Sequence, residues 1–170
     1  MNMTDIQHKS QRLTPGVIWT GLLLGCLALE LAALYFQYGL DYGPCILCVQ
    51  IRAILGLIGV IALLALVLPI SVEKILSLSL LPLSIGYTWL CYQVLGIERG
   101  WFEGSCTFEP PFPSWFALHE WLPSIFEAWE LCGYTPEIVF NITMAETLIA
   151  VAVIIMLANI LLIKKLFTDT

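Results

Sequence analysis

Four apolar runs, each long enough to cross a lipid bilayer, leave this chain few folds to choose from. They cover about residues 15–40, 46–70, 75–97 and 138–163. A spanning helix needs roughly 20 mostly apolar residues. Only helices and closed barrels satisfy every backbone N–H and C=O inside lipid, and these runs are too long and too continuous for barrel strands. The expected fold is therefore an all-α membrane protein, a four-transmembrane-helix bundle forming one domain over 1–170. Its spans are placed at about 15–38, 46–69, 75–97 and 143–163, and its outer loops at about 39–45 and 98–142. Charged residues make up only 12% of the chain, against about 25% in soluble domains, and the mean hydropathy is +0.90. The N-terminus carries Lys9 and Arg12 ahead of an apolar run, and Leu23-Leu24-Gly25-Cys26 looks like a lipoprotein cleavage box. The apolar run continues past Cys26 to the length of a span, so a retained helix is expected rather than a cleaved leader.

The basic residues orient the bundle. Outside the spans they are Lys9, Arg12, Lys74, Arg99, Lys164 and Lys165. All but Arg99 fall at the N-terminus, in the turn between spans two and three, or at the C-terminus, which four spans place on one side. The positive-inside rule makes that side cytoplasmic. The long 98–144 loop on the other side carries Glu98, Glu103, Glu109, Glu120, Glu127, Glu130 and Glu137 against Arg99 alone.

That outer side also holds two cysteine pairs. Cys45-Ile46-Leu47-Cys48 opens the second span, and Cys106 and Cys132 lie in the long loop. Disulfides persist outside the cytoplasm. A helix start, with its free N–H groups and dipole, favours an anion. Arg52 is one turn beyond Cys48 on the same face. Both features favour the thiolate at Cys48, the reactive form of the residue. A charge at this depth costs about 2.5–3.5 kcal/mol if central, so Arg52 needs a use or a partner, and Glu30 in the first span is available as one. Cys106 and Cys132 read alone could be a structural disulfide, and four outer cysteines could bind zinc, but only one pair has knuckle spacing. Cys26 and Cys91 lie within spans and read as small apolar residues.

In the long loop, Trp115, Leu118, Leu122, Ile125, Phe126 and Trp129 follow helical spacing. Pro123 divides them, which predicts two short helical pieces with Pro123 in the first turn of the second. A Trp-rich amphipathic stretch between spans predicts a short interfacial helix. Residues 108–113, rich in proline, are expected to be extended. The Ser71–Lys74 stretch is expected to form the cytoplasmic turn, Glu146 to begin the fourth span with no special role, and His119 to be an exposed polar residue. No Gly-rich phosphate loop, nucleophile elbow or basic nucleic-acid patch is present.

These residues resemble the DsbB family, disulfide bond formation protein B of bacterial inner membranes. The resemblance covers nearly the whole chain. It rests on Ala28-Leu29-Glu30-Leu31 with Phe36-Gln37, on Pro44-Cys45-Ile46-Leu47-Cys48 with Arg52, and on Cys106 followed by Phe112-Pro113. Trp121-Leu122-Pro123 and Cys132 extend it. It implies an inner-membrane protein-disulfide:quinone oxidoreductase, with both termini cytoplasmic and both cysteine pairs periplasmic. In that reaction a reduced DsbA-like thiol oxidase attacks Cys106, Cys132 exchanges with Cys45, and Cys48 faces a bound ubiquinone or menaquinone with Arg52 stabilising the charged pair. Such a relay keeps the periplasm oxidising. Two departures stand out. Where the family commonly has Gln or Glu directly before the Arg, this chain has Ile51, with Gln50 one earlier. No His lies in 94–105, where members often carry one, so Arg99 is the candidate replacement on the quinone side. The alternatives are a quinone reductase of the vitamin K epoxide reductase type, whose cysteine pairs come in the opposite order, and a non-catalytic membrane protein with structural disulfides.

Overall fold

The structure, a computed structural model, describes residues 3–101, 103, 111–130, 132–133, 135–139 and 142–168. Four long helices dominate it: α1 (Met3–Gly39), α2 (Ile46–Val67), α3 (Ile70–Glu98) and α6 (Met144–Thr168). Each is long and apolar enough to cross a membrane, α1 over Pro15–Gly39. Between α3 and α6 lie a 3₁₀ turn (Ser114–Phe116), α4 (Leu118–Trp121), α5 (Pro123–Phe126) and the short strands β1 (Glu137–Val139) and β2 (Ile142–Thr143).

The helices form an antiparallel ring in which α2 packs between α1 and α3, α6 packs on α3, and a smaller α1–α6 contact closes the circle. The α1 face toward the bundle is a heptad-like stripe. Trp19, Leu22, Cys26 and Gln37 are buried along it, with Glu30 and Ala33 in register between them. Gly59 of α2 sits opposite Cys26, where an added Cβ would stand 3.3 Å from the Cys26 Cβ. Small residues at such crossings let backbones approach closely in lipid.

Several polar groups inside the bundle pair across helices. Asn159 donates to the Ser84 hydroxyl at 3.3 Å, tying α6 to α3. Bonds of this kind contribute on the order of 0.6–2 kcal/mol in a membrane. Trp19, fully buried, donates its indole N–H to the Glu73 carboxylate at 2.7 Å. At the same end Lys74 lies over the Phe167 ring, 5.7 Å from its centroid. The basic residues Lys74, Lys164 and Lys165 thus gather at one end of the bundle, away from the cysteines.

Three local expectations need correction. The reversal between α2 and α3 is the two-residue Leu68–Pro69 link, and Ser71–Lys74 is helical. Pro69 has no N–H to continue α2 and suits a helix entry. The run expected from residue 138 begins as an antiparallel β1–β2 pairing, with α6 starting at Met144. Glu146 has a role: the Thr143 hydroxyl accepts from the Glu146 N–H at 3.3 Å, and the Glu146 carboxylate accepts from the Thr143 N–H at 3.1 Å. This reciprocal capping box ends the hairpin and starts the helix. Arg99, the C-cap of α3, ion-pairs with the same Glu146.

The expected division of the loop at Pro123 is observed, with Pro123 at the first position of α5. Three backbone carbonyls anchor this loop to the helix tips. Gln50 donates to Pro111 O at 2.8 Å. The side chains of Gln37 and Tyr38 both donate to Ser124 O. Trp129 N–H donates to Pro44 O at 2.9 Å, and Cys45 and Glu130 form a parallel bridge. Gly43 makes that last contact possible, since a Cβ there would lie 2.9 Å from both Trp129 and Glu130 side-chain atoms. His119 corrects another expectation: its side chain is only 19% exposed and stacks on Phe112. The extended segment expected at 108–113 lies largely outside the described residues.

Candidate active site

Cys45 is the N-cap of α2, in extended backbone, and its sulfur accepts from the Cys48 N–H at 3.2 Å. Cys48 stands in the first helical turn and is disulfide-bonded to Cys45, with the two Cα atoms 5.0 Å apart. Pro44 before the cap and the apolar residues after it make this the start of the helix. A sulfur at a helix N-terminus faces unpaired N–H groups that favour negative charge, so reduction of this bond places the developing anion where the backbone supports it. Cys45 is buried and Cys48 half-buried.

The pair opens onto an apolar cavity of about 130 Å³. Phe36 and Gln37 of α1, Arg52 and Leu55 of α2, and Met144 and Leu148 of α6 form its walls, and Glu130, Thr135 and Pro136 from the long loop form its roof. Among the described residues Arg52 is the one guanidinium lining it, and only 5% of the residue is exposed. Its Nε approaches the Glu30 carboxylate at 3.4 Å and its Nη1 donates to Gln37 Oε1 at 2.8 Å. Its Nη2 is buried and has no partner among the described residues. A buried donor left unpaired costs about 1–3 kcal/mol or more. Apolar walls with a few placed polar groups are what small-molecule sites consist of.

The long loop carries Cys132 close in sequence to its contact with the start of α2. Cys132 is disulfide-bonded and lies two residues beyond Glu130, which bridges to Cys45. Gly133 follows at φ 124°, a conformation that L side chains rarely adopt, and turns the chain over the end of α3. Cys106 lies outside the described residues. Cys26 and Cys91 are free and buried in the bundle.

Arg99 stands apart from this cavity, held by Glu146. Gln37 is the site residue that sequence reasoning passed over. It is 1% exposed and directly bonded to Arg52. A signal was present: Glu30 and Gln37 are seven residues apart and so share a helix face. Gln50, the nearest match to the family's polar residue before the Arg, serves the loop instead, and Ile51 is a core residue lining the cavity.

Fold and site together define a class: a four-helix membrane protein whose helix-start cysteine pair faces an apolar cavity beside a buried guanidinium. The sequence profile of the family described as disulfide bond formation protein DsbB matches residues 15–162. A protein named disulfide bond formation protein B from Shewanella amazonensis is 37% identical over 145 residues, covering 82% of this chain and 85% of that one. The protein of the same name from Shewanella frigidimarina is 36% identical over 137 residues, covering 75% and 78%, and that from Haemophilus influenzae 34% over 157, covering 87% and 86%. The chain belongs to the DsbB family.

Proposed function

We propose that this protein reoxidises a DsbA-like dithiol oxidase outside the cytoplasm and passes the electrons to a membrane quinone. The observation that carries this reading is the shared cavity: the Cys45–Cys48 disulfide and the buried Arg52 line one apolar space within the bundle. The disulfide of Cys132 takes two electrons from the partner's dithiol, whose two protons are released. Cys132, pinned near Cys45 by the 130–45 bridge, then exchanges with the Cys45–Cys48 bond. Cys48 is left as the anion at the helix start, with Arg52 one turn away on the same face. A bound quinone supplies the oxidising capacity for two electrons and two protons, leaving as quinol. Gln37 and Glu30 hold the guanidinium, and the loop roof keeps bulk water out.

The charge bias supports a topology with both termini in the cytoplasm and both cysteine pairs in the periplasm of a bacterial inner membrane. Exposed Trp115, Phe116, Trp121 and Leu122 would then rest at the water–lipid boundary. Purified protein, a reduced DsbA-like protein and a short-chain soluble benzoquinone test the reading through loss of quinone absorbance. One quinone is consumed per dithiol oxidised; no consumption, or consumption independent of the dithiol protein, sinks it. In the same assay Arg99→Ala leaves the quinone KM within about twofold, since only uniform binding contacts would move it. Its effect is on stability, by about 0–1 kcal/mol as for a solvent-screened ion pair, read as a small drop in Tm.

A further inference from the structure

Gln37 makes two contacts that no other side chain combines among the described residues. Its Oε1 accepts from Arg52 Nη1 at 2.8 Å, and its Nε2 donates at 3.4 Å to Ser124 O of α5. It is therefore the direct link between the buried guanidinium and the outer loop. Tyr38, the next residue, donates to the same Ser124 carbonyl but makes no contact with Arg52. The loop has two further anchors, at Gln50–Pro111 and at Pro44–Trp129, and neither reaches the guanidinium.

We propose that Gln37 is a positioning residue: it fixes the plane of the Arg52 guanidinium in the cavity wall. The inference rests on the quinone-reducing role proposed above. Of the three guanidinium nitrogens of Arg52, Nε is directed to Glu30 and Nη1 to Gln37, which fixes the plane of the fork, and Nη2 has no partner among the described residues. A planar guanidinium recognises an oxygen by direction as well as charge. With Gln37 replaced by an apolar residue, the plane is free to turn about the Nε–Glu30 contact, and the fork is out of position for part of the time. Binding weakens by the fraction of time spent competent.

Gln37→Leu, Gln37→Glu and Tyr38→Phe separate the two contacts. The assay uses a short-chain soluble benzoquinone, with dithiothreitol as electron donor in one arm and a reduced DsbA-like protein in the other. Gln37→Leu raises the quinone KM by about tenfold or more in both arms. Gln37→Glu keeps the oxygen that accepts from Arg52 and stays within about threefold of wild type. Tyr38→Phe weakens the shared loop anchor alone and leaves the quinone KM within about twofold. A quinone KM for Gln37→Leu equal to wild type overturns the proposal, as does a Tyr38→Phe shift as large as that of Gln37→Leu, which would make Gln37 a loop anchor only. If Gln37→Leu fails to fold, Gln37→Met is used on the same terms. An Arg52→Met control identifies which reading has failed: with Arg52→Met impaired and Gln37→Leu normal, only this inference falls, whereas with both normal the quinone site itself is wrong.

Discussion

Cys48→Ser stops multiple-turnover quinone reduction, and the protein oxidises only about one equivalent of partner dithiol before halting. The disulfide of Cys132 is intact in that variant and can take two electrons once. Cys45 is then left without the neighbour needed to reform a disulfide, so nothing recharges the loop pair. Cys26→Ser and Cys91→Ser, by contrast, stay within about twofold of wild-type turnover, because both thiols are free and packed in the bundle away from the cavity walls. Quinone absorbance reports turnover, and a gel of alkylated thiols reports the stalled state. Continued turnover by Cys48→Ser would remove this residue from the electron path.

Arg52→Met has the second large effect, and it divides into stability and rate. Removing the guanidinium leaves Glu30 without its cation. Breaking one side of a buried pair costs about 3–5 kcal/mol, and the lower end applies because the Glu30 side chain retains 23% exposure. Removing a donor aimed at developing oxygen charge lowers the rate by about 10²–10³. The double variant Glu30→Gln with Arg52→Met discriminates the two. It recovers most of the lost Tm, since no buried charge is left unpaired, and it does not recover quinone turnover. Recovery of turnover in the double variant would mean that Arg52 serves only to neutralise Glu30.

The parts of this architecture legible in the sequence are those set by local chemistry. Apolar length fixes the spans, and Pro44 ahead of the cysteine pair marks the start of α2. Pro123 divides the loop where expected. The features missed depend on how segments meet. Glu146 alone reads as a span-entry residue; its capping role needs Thr143 three residues earlier, a spacing that was available, and its bond to Arg99 needs the α3–α6 register, which was not. The hairpin at 137–143 was hidden because Ile138 and Val139 are as apolar as the helix that follows. Gln37 was masked by its company: beside Tyr35, Phe36 and Tyr38 it reads as a polar residue of an interfacial belt. Only the stripe through Trp19, Cys26 and Glu30 turns it inward, and only the pairing of α1 with α2 sets it level with Arg52.

The bridge between residues 45 and 130 has a consequence for selectivity among sulfurs. A single residue separates Cys132 from Glu130, which is fixed to the helix tip, so in the proposed relay a thiol released at Cys132 stays tethered near Cys45. A short tether of that kind gives an effective concentration in the millimolar range, well above that of stray thiols outside the cell. In the proposed relay, lengthening the chain between 130 and 132 with glycines would progressively divert oxidising equivalents to whatever small thiol the buffer contains.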